Sequence, residues 1–109
     1  MRSDERIKSH QDAIDKIIIT KQELEKIQKQ KLLLRTDKYI EYFSKPYDID
    51  YYQIEFFKRQ LYIGSISHEI NEINSIIKIL DDGINKENEY INNIIEEQKL
   101  INDIPDTVV

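Results

Sequence analysis

From Ser3 to about Ser44 no Gly or Pro interrupts the chain, and apolar residues recur at Ile7, Ile14, Ile17, Ile18, Leu24, Ile27 and Leu34. Spacings of three, four and seven place them on one stripe of a helix, so a first helix is expected over about residues 4–44. Ser3 is suited to cap it, with Asp4 and Glu5 set against the positive end of the helix dipole. Such a helix is too long to stand without a neighbour along most of its length. The triplets Ile17-Ile18-Ile19 and Leu32-Leu33-Leu34 widen the stripe beyond a two-stranded seam, which points to contact with two neighbours. Thr36-Asp37 offers a break, since both residues favour caps over helix interiors.

Ser44-Lys45-Pro46-Tyr47-Asp48 is the clearest boundary, because proline lacks a donor and drives its predecessor out of the helical region. With Asp48 as N-cap, Tyr47 and Tyr52 take the two positions of a hydrophobic staple. A second helix follows over about 49–81. In it Tyr52, Phe56, Arg59, Ile63, Ile66, Ile70, Ile73, Ile77 and Leu80 step by four and three, with Arg59 alone breaking the apolar pattern. Gly64 inside that run marks a kink or a close helix approach. Asp81-Asp82-Gly83 reads as a helix end, Gly83 taking the left-handed position after the last turn. A third helix over about 86–103 repeats Ile84, Ile91, Ile94, Gln98 and Ile101, stops at Pro105 and leaves a frayed tail. Short connections between long helices force antiparallel neighbours. The expected architecture is therefore all-α: one domain, an up-down-up three-helix bundle with coiled-coil-like packing. A long antiparallel hairpin whose third helix projects into a partner is the second architecture.

Composition agrees with helices and excludes much else. The 109 residues are 39% hydrophobic and 34% charged, enough for one modest core, and two Gly with two Pro cannot punctuate a many-stranded sheet or build a phosphate-cradling loop. With no Cys, disulfides, thiolate metal sites and cysteine nucleophiles are out. The opening residues lack the apolar core of a signal peptide and no window approaches a membrane span, so a soluble, cytoplasmic protein is expected. Residues 1–45 carry a net charge of +3 and residues 46–109 one of −8, a split that lets the two parts pack together. The overall −5 argues against a duplex nucleic acid partner; Lys26, Lys29, Lys31 and Arg35 read as a solvated face or as counter-charge to the acidic remainder.

Chemistry finds little support. His68-Glu69-Ile70-Asn71-Glu72 superficially follows a two-histidine zinc helix, but Glu72 stands where the second His belongs, and an exposed polar face is the better reading. His10, one turn from Ile7 and Ile14, reads as a flanking residue at a bundle end. Asp81-Asp82 and Glu96-Glu97 read as a cap region and a solvated face. No catalytic residue, cofactor or metal is expected.

Seven of the ten aromatics crowd between Tyr42 and Phe57. Phe43, Tyr52 and Phe56 are expected to plug one end of the bundle, leaving Tyr51 or Phe57 as an exposed partner anchor of the kind that dominates interface energetics. The final Thr107-Val108-Val109 fits the carboxylate-and-aliphatic pattern read by PDZ domains, but three residues match by chance often and the stretch is read as a solvated tail.

Tyr47-Asp48-Ile49 at the start of helix two, Leu61-Tyr62-Ile63 before Gly64, the repeat Ile66, Ile70, Ile73 and Ile77, and Asn88-Glu89-Tyr90 in helix three together resemble the tubulin-binding cofactor A family, small cytosolic chaperones built as antiparallel three-helix bundles. The likeness lies mainly in residues 47–80. It departs where the family's Lys-Lys-Gln is Asp50-Tyr51-Tyr52 and where Gly64 replaces a proline. The resemblance implies a non-enzymatic protein that binds beta-tubulin folding intermediates through helical surfaces and carries over no individual contact residue; the candidate partner contacts are Tyr47, from the matched helix opening, and Tyr51 and Phe57, from the aromatic cluster. The competing expectation, from a different class, is a helical subunit or adaptor of a larger assembly whose stripes are covered by other helical proteins.

Overall fold

A computed structural model describes residues 2–44 and 52–102, without the side chains of 52 and 53. Two helices account for them: α1, Ser3–Ser44, and α2, Tyr52–Asn102. No strand occurs among the described residues, so the chain is all-α. The connection around Pro46, with the Asp48 cap and the Tyr47–Tyr52 staple, lies outside the described residues, as do Pro105 and the Thr107-Val108-Val109 tail.

The ladder of α1 opens with the Arg6 amide donating to the Arg2 carbonyl at 3.0 Å, one residue earlier than a Ser3 cap would have it. Asp4 and Glu5 occupy the first turn as the dipole argument requires. The helix does not break at Thr36-Asp37: the Thr36 hydroxyl turns back on its own helix and donates to the Leu32 carbonyl at 3.0 Å. Thr20 does the same to Lys16 and Ser75 to Asn71, which lets these cap-forming residues sit in helix interiors.

The expected end at Asp81-Asp82-Gly83 and the separate third helix are corrected: α2 runs through all three residues without interruption. Gly83 is not left-handed, no residue among those described having a positive φ. What holds this stretch helical is lateral. The Lys21 ammonium lies 2.7 Å from an Asp81 carboxylate oxygen, and a Cβ at Gly83 would meet Ile17 Cδ1 at 3.5 Å. Gly83 therefore faces α1 from inside a continuous helix, with room for a side-chain methyl, and makes no turn. Gly64 is neither kink nor close approach, since a Cβ there would have nothing within 4 Å and the helix is continuous.

The chain divides into two compact units. Unit 1 comprises residues 1–21 and 78–109; unit 2 is 22–77. In unit 1 the helices run antiparallel, Arg6 meeting Glu97 at 3.2 Å, His10 meeting Glu87 and Lys21 meeting Asp81. Ile94 is its one buried described residue, at 2% exposure. In unit 2 the helices are again antiparallel, with Gln28 paired to Asn74, Lys31 to Glu69 at 2.6 Å, and Arg35 to Ser67 at 3.2 Å. Its core is Ile63, Ile66, Ile70 and Ile73, the four-three series of the sequence, with Ile77 half-buried. No residue of α1 is buried.

Candidate interaction surface

In unit 2, α1 turns a largely polar face to α2. Gln28, Lys31, Arg35 and Lys38, spaced by three and four, are all half-buried, and their long stems suit positions that cover apolar surface while the heads reach polar partners. The Lys38 ammonium donates to Glu41 at 3.0 Å and sits 5.9 Å and 5.7 Å from the Tyr42 and Tyr62 ring centres. The hydrogen bond and charge of Glu41 hold it above the usual lysine range.

Arg59 explains the single break in the apolar series of α2. Its guanidinium donates to the Tyr42 carbonyl at 3.1 Å and lies 5.0 Å from the Tyr42 ring centre. The last turn of α1 has no basic residue of its own, so Arg59 brings positive charge from α2 to the negative end of the α1 dipole.

With α1 facing α2 through these polar side chains, its apolar residues emerge elsewhere. Leu32, Leu33, Tyr39, Ile40 and Phe43 are all exposed and, with Thr36 between them, follow the three-four spacing of a helical stripe. The Tyr39 and Phe43 rings stack, centres 5.9 Å apart with planes 5° from parallel. A second group, Ile54, Phe57 and Leu61, is exposed on α2 at the same spacing. Lone exposed apolar residues are ordinary, whereas helical rows of them mark interaction surfaces.

Of the candidate contacts, Phe57 is 62% exposed with its ring edge-on to Phe56, centres 5.7 Å apart. Tyr47 and Tyr51 lie outside the described residues. Phe43, expected inside the aromatic plug, is instead 71% exposed. Phe56, expected in the same plug, is also exposed, at 36%, and the side chain of Tyr52 is not among those described. The α1 stripe was partly signalled by the Leu32-Leu33-Leu34 triplet, which is too wide for one neighbour; its extension through Ile40 and Phe43 was missed because both sit beside the Pro46 boundary.

The histidines fall where their neighbours put them. His68 is exposed and pairs with Glu72 one turn on at 3.1 Å, while His10 meets the Glu87 carboxylate and stacks on Tyr90 with ring centres 5.3 Å apart. Glu96 is met by Lys99 and Glu97 by Arg6. Among the described residues no three His, Cys, Asp or Glu side chains gather to hold a metal ion, and no helix is long and apolar enough to cross a membrane. A shallow depression formed by Glu5, Lys8, Ser9, Asp12, Ala13 and Lys16 lies along α1 alone and lacks the apolar enclosure of a ligand site. No family model, curated protein or solved structure matches this chain.

Proposed function

We propose that this chain is a non-enzymatic helical interaction module, a subunit or adaptor whose uncovered apolar rows are completed by helices of other protein chains. The observation that carries the reading is the α1 stripe, five large apolar side chains exposed within twelve residues of a helix whose other face already packs on α2. A helix that packs on α2 through one face and carries an apolar row on another needs two neighbours. The three-helix packing expected from the sequence then belongs to the complex, the third helix coming from outside the two described here. The acidic balance and the absence of Cys fit a cytoplasmic protein that binds neither nucleic acid nor membrane.

Chaperoning of beta-tubulin folding intermediates is the second reading, favoured by one feature, the exposed Phe57 within an aromatic-rich stretch. A single experiment addresses both. A photo-crosslinking amino acid is placed in turn at Ile40, Phe57 and Gln30, an exposed polar position off the stripe, in cells that express the protein. Adducts to another chain from Ile40 but not from the polar control Gln30 support the module; an adduct from Phe57 that contains beta-tubulin supports the chaperone. Adducts formed equally well from Gln30 reject the stripe as a binding surface.

A further inference from the structure

We propose that His10, Glu87 and Tyr90 form a pH-sensitive clasp between the helices of unit 1, closed while the imidazole carries its proton and loosened when the proton leaves. The clasp is independent of the module reading. It stands on the geometry of the cluster, on the pairs around it and on how little else holds the unit.

His10 comes from α1 and Glu87 and Tyr90 from α2, so the cluster joins the two helices. The Nδ1 atom of His10 meets a Glu87 carboxylate oxygen, and the Tyr90 ring stacks on the imidazole with centres 5.3 Å apart and planes 28° from parallel. The paired side chains are 31% and 23% exposed, against 42% and 58% for Arg6–Glu97 and 29% and 47% for Lys21–Asp81, which also join the helices of this unit. As a pair His10–Glu87 is the least exposed of the three, and charges partly withdrawn from water are screened least.

Histidine is the side chain whose ordinary range of proton loss spans neutrality, whereas Arg and Lys stay charged throughout it. Protonated, the imidazolium attracts the Glu87 carboxylate. Without the proton the ring can keep a hydrogen bond through Nδ1–H, but the attraction between opposite charges is gone. The stability contributed by the pair is therefore present in mild acid and lost as the pH rises. No other charge is free to replace it. Arg6, one turn earlier on α1, is taken by Glu97, and Lys8 and Asp12 of α1 and Lys86 and Glu89 of α2 are exposed.

Unit 1 has little to offset the loss. Ile94, its one buried described residue, stands one turn beyond Tyr90, so the clasp and the apolar contact share one stretch of α2. The chain's other histidine supplies the comparison. His68 lies in unit 2, pairs with Glu72 of its own helix, and is 73% exposed, so its proton joins no two elements.

The test is hydrogen exchange of the full chain followed by mass spectrometry at about pH 5.5 and about pH 8, each corrected for the base-catalysed rate of an unfolded chain. Protection of residues 6–17 and 84–98 is expected to fall by up to about fivefold between the two, the size of a partly exposed ion pair, while that of residues 63–73 stays level. His10→Gln and Glu87→Gln should each abolish the fall, and His68→Gln should keep it. Should either clasp variant unfold, the wild type alone decides: roughly 1 M salt should shrink the difference between the two pH values, because Arg6–Glu97 and Lys21–Asp81 are weakened equally at both. Equal protection of unit 1 at both pH values, a fall that persists in His10→Gln, or one that salt leaves unchanged overturns the clasp.

Discussion

At the scale of single residues, the two glycines show how much a residue's meaning depends on its neighbours. Both stand inside α2 with helical backbone, where Gly sacrifices chain entropy relative to Ala. A methyl at Gly64 would enter open space and one at Gly83 would make an ordinary contact with Ile17 at 3.5 Å. Gly64→Ala and Gly83→Ala are each expected to stabilise the protein by about 0.5–1 kcal/mol, read as a higher melting temperature. A lower one at Gly83 would mean that Ile17 cannot accommodate the methyl. Arg59 is the opposite kind of residue, polar in an apolar row and held by the Tyr42 carbonyl. Arg59→Ala should cost about 1–3 kcal/mol in urea unfolding, because it removes a charge-assisted hydrogen bond to the Tyr42 carbonyl and positive charge from the end of α1. An unchanged midpoint would show the contact to be idle.

At the scale of elements, burial separates positions that look alike in sequence. Ile70 is 5% exposed and Ile79 66%, both isoleucines of the same helix. Ile70→Ala should lower stability by about 2–5 kcal/mol through lost methylenes and a residual cavity, whereas Ile79→Ala should stay within about 0.5 kcal/mol. Equal losses would place Ile79 under cover, and no loss at Ile70 would refute the core. The buried face of α2 was legible in the sequence because four-three spacing of isoleucines admits one helical reading. Two things were not legible. Asp81-Asp82-Gly83 carries the residue types of a helix stop, but such signals only permit a stop. An interior Gly costs roughly 1 kcal/mol, and continuing the helix keeps the Lys21–Asp81 ion pair in place. The inward face of α1 in unit 2 was hidden for a different reason: Lys31 and Arg35 read as a solvated face or as counter-charge to the acidic remainder, and only the partner helix shows that they, with Lys38, lie on the inner face while Leu33 and Ile40 are exposed. The candidate surface is therefore recorded in the sequence as apolar residues in excess of one stripe, without the information that says which stripe is covered.

At the scale of the whole molecule, the buried residues are unevenly shared. Among the described residues, four of the five buried side chains, Ile63, Ile66, Ile70 and Ile73, belong to unit 2 and Ile94 to unit 1. Ion pairs also join the helices of unit 1, but Arg6 and Glu97 are 42% and 58% exposed, and pairs so open to solvent contribute about 0–1 kcal/mol. Opening free energy follows local burial more closely than helix length, so each unit should open at its own level although both helices contribute to both. In native-state hydrogen exchange followed by mass spectrometry, amides of residues 63–73 are expected to be the last to exchange and those of 3–21 and 84–102 to exchange earlier. Raising the salt concentration should widen the gap slightly, because it screens the exposed pairs of unit 1 and leaves buried isoleucines unaffected. Equal protection across both stretches would mean that unit 1 is stabilised by surface hidden in contacts beyond this chain. Its exposed Ile19, Leu100 and Ile101 would then be the residues to examine for a covering partner.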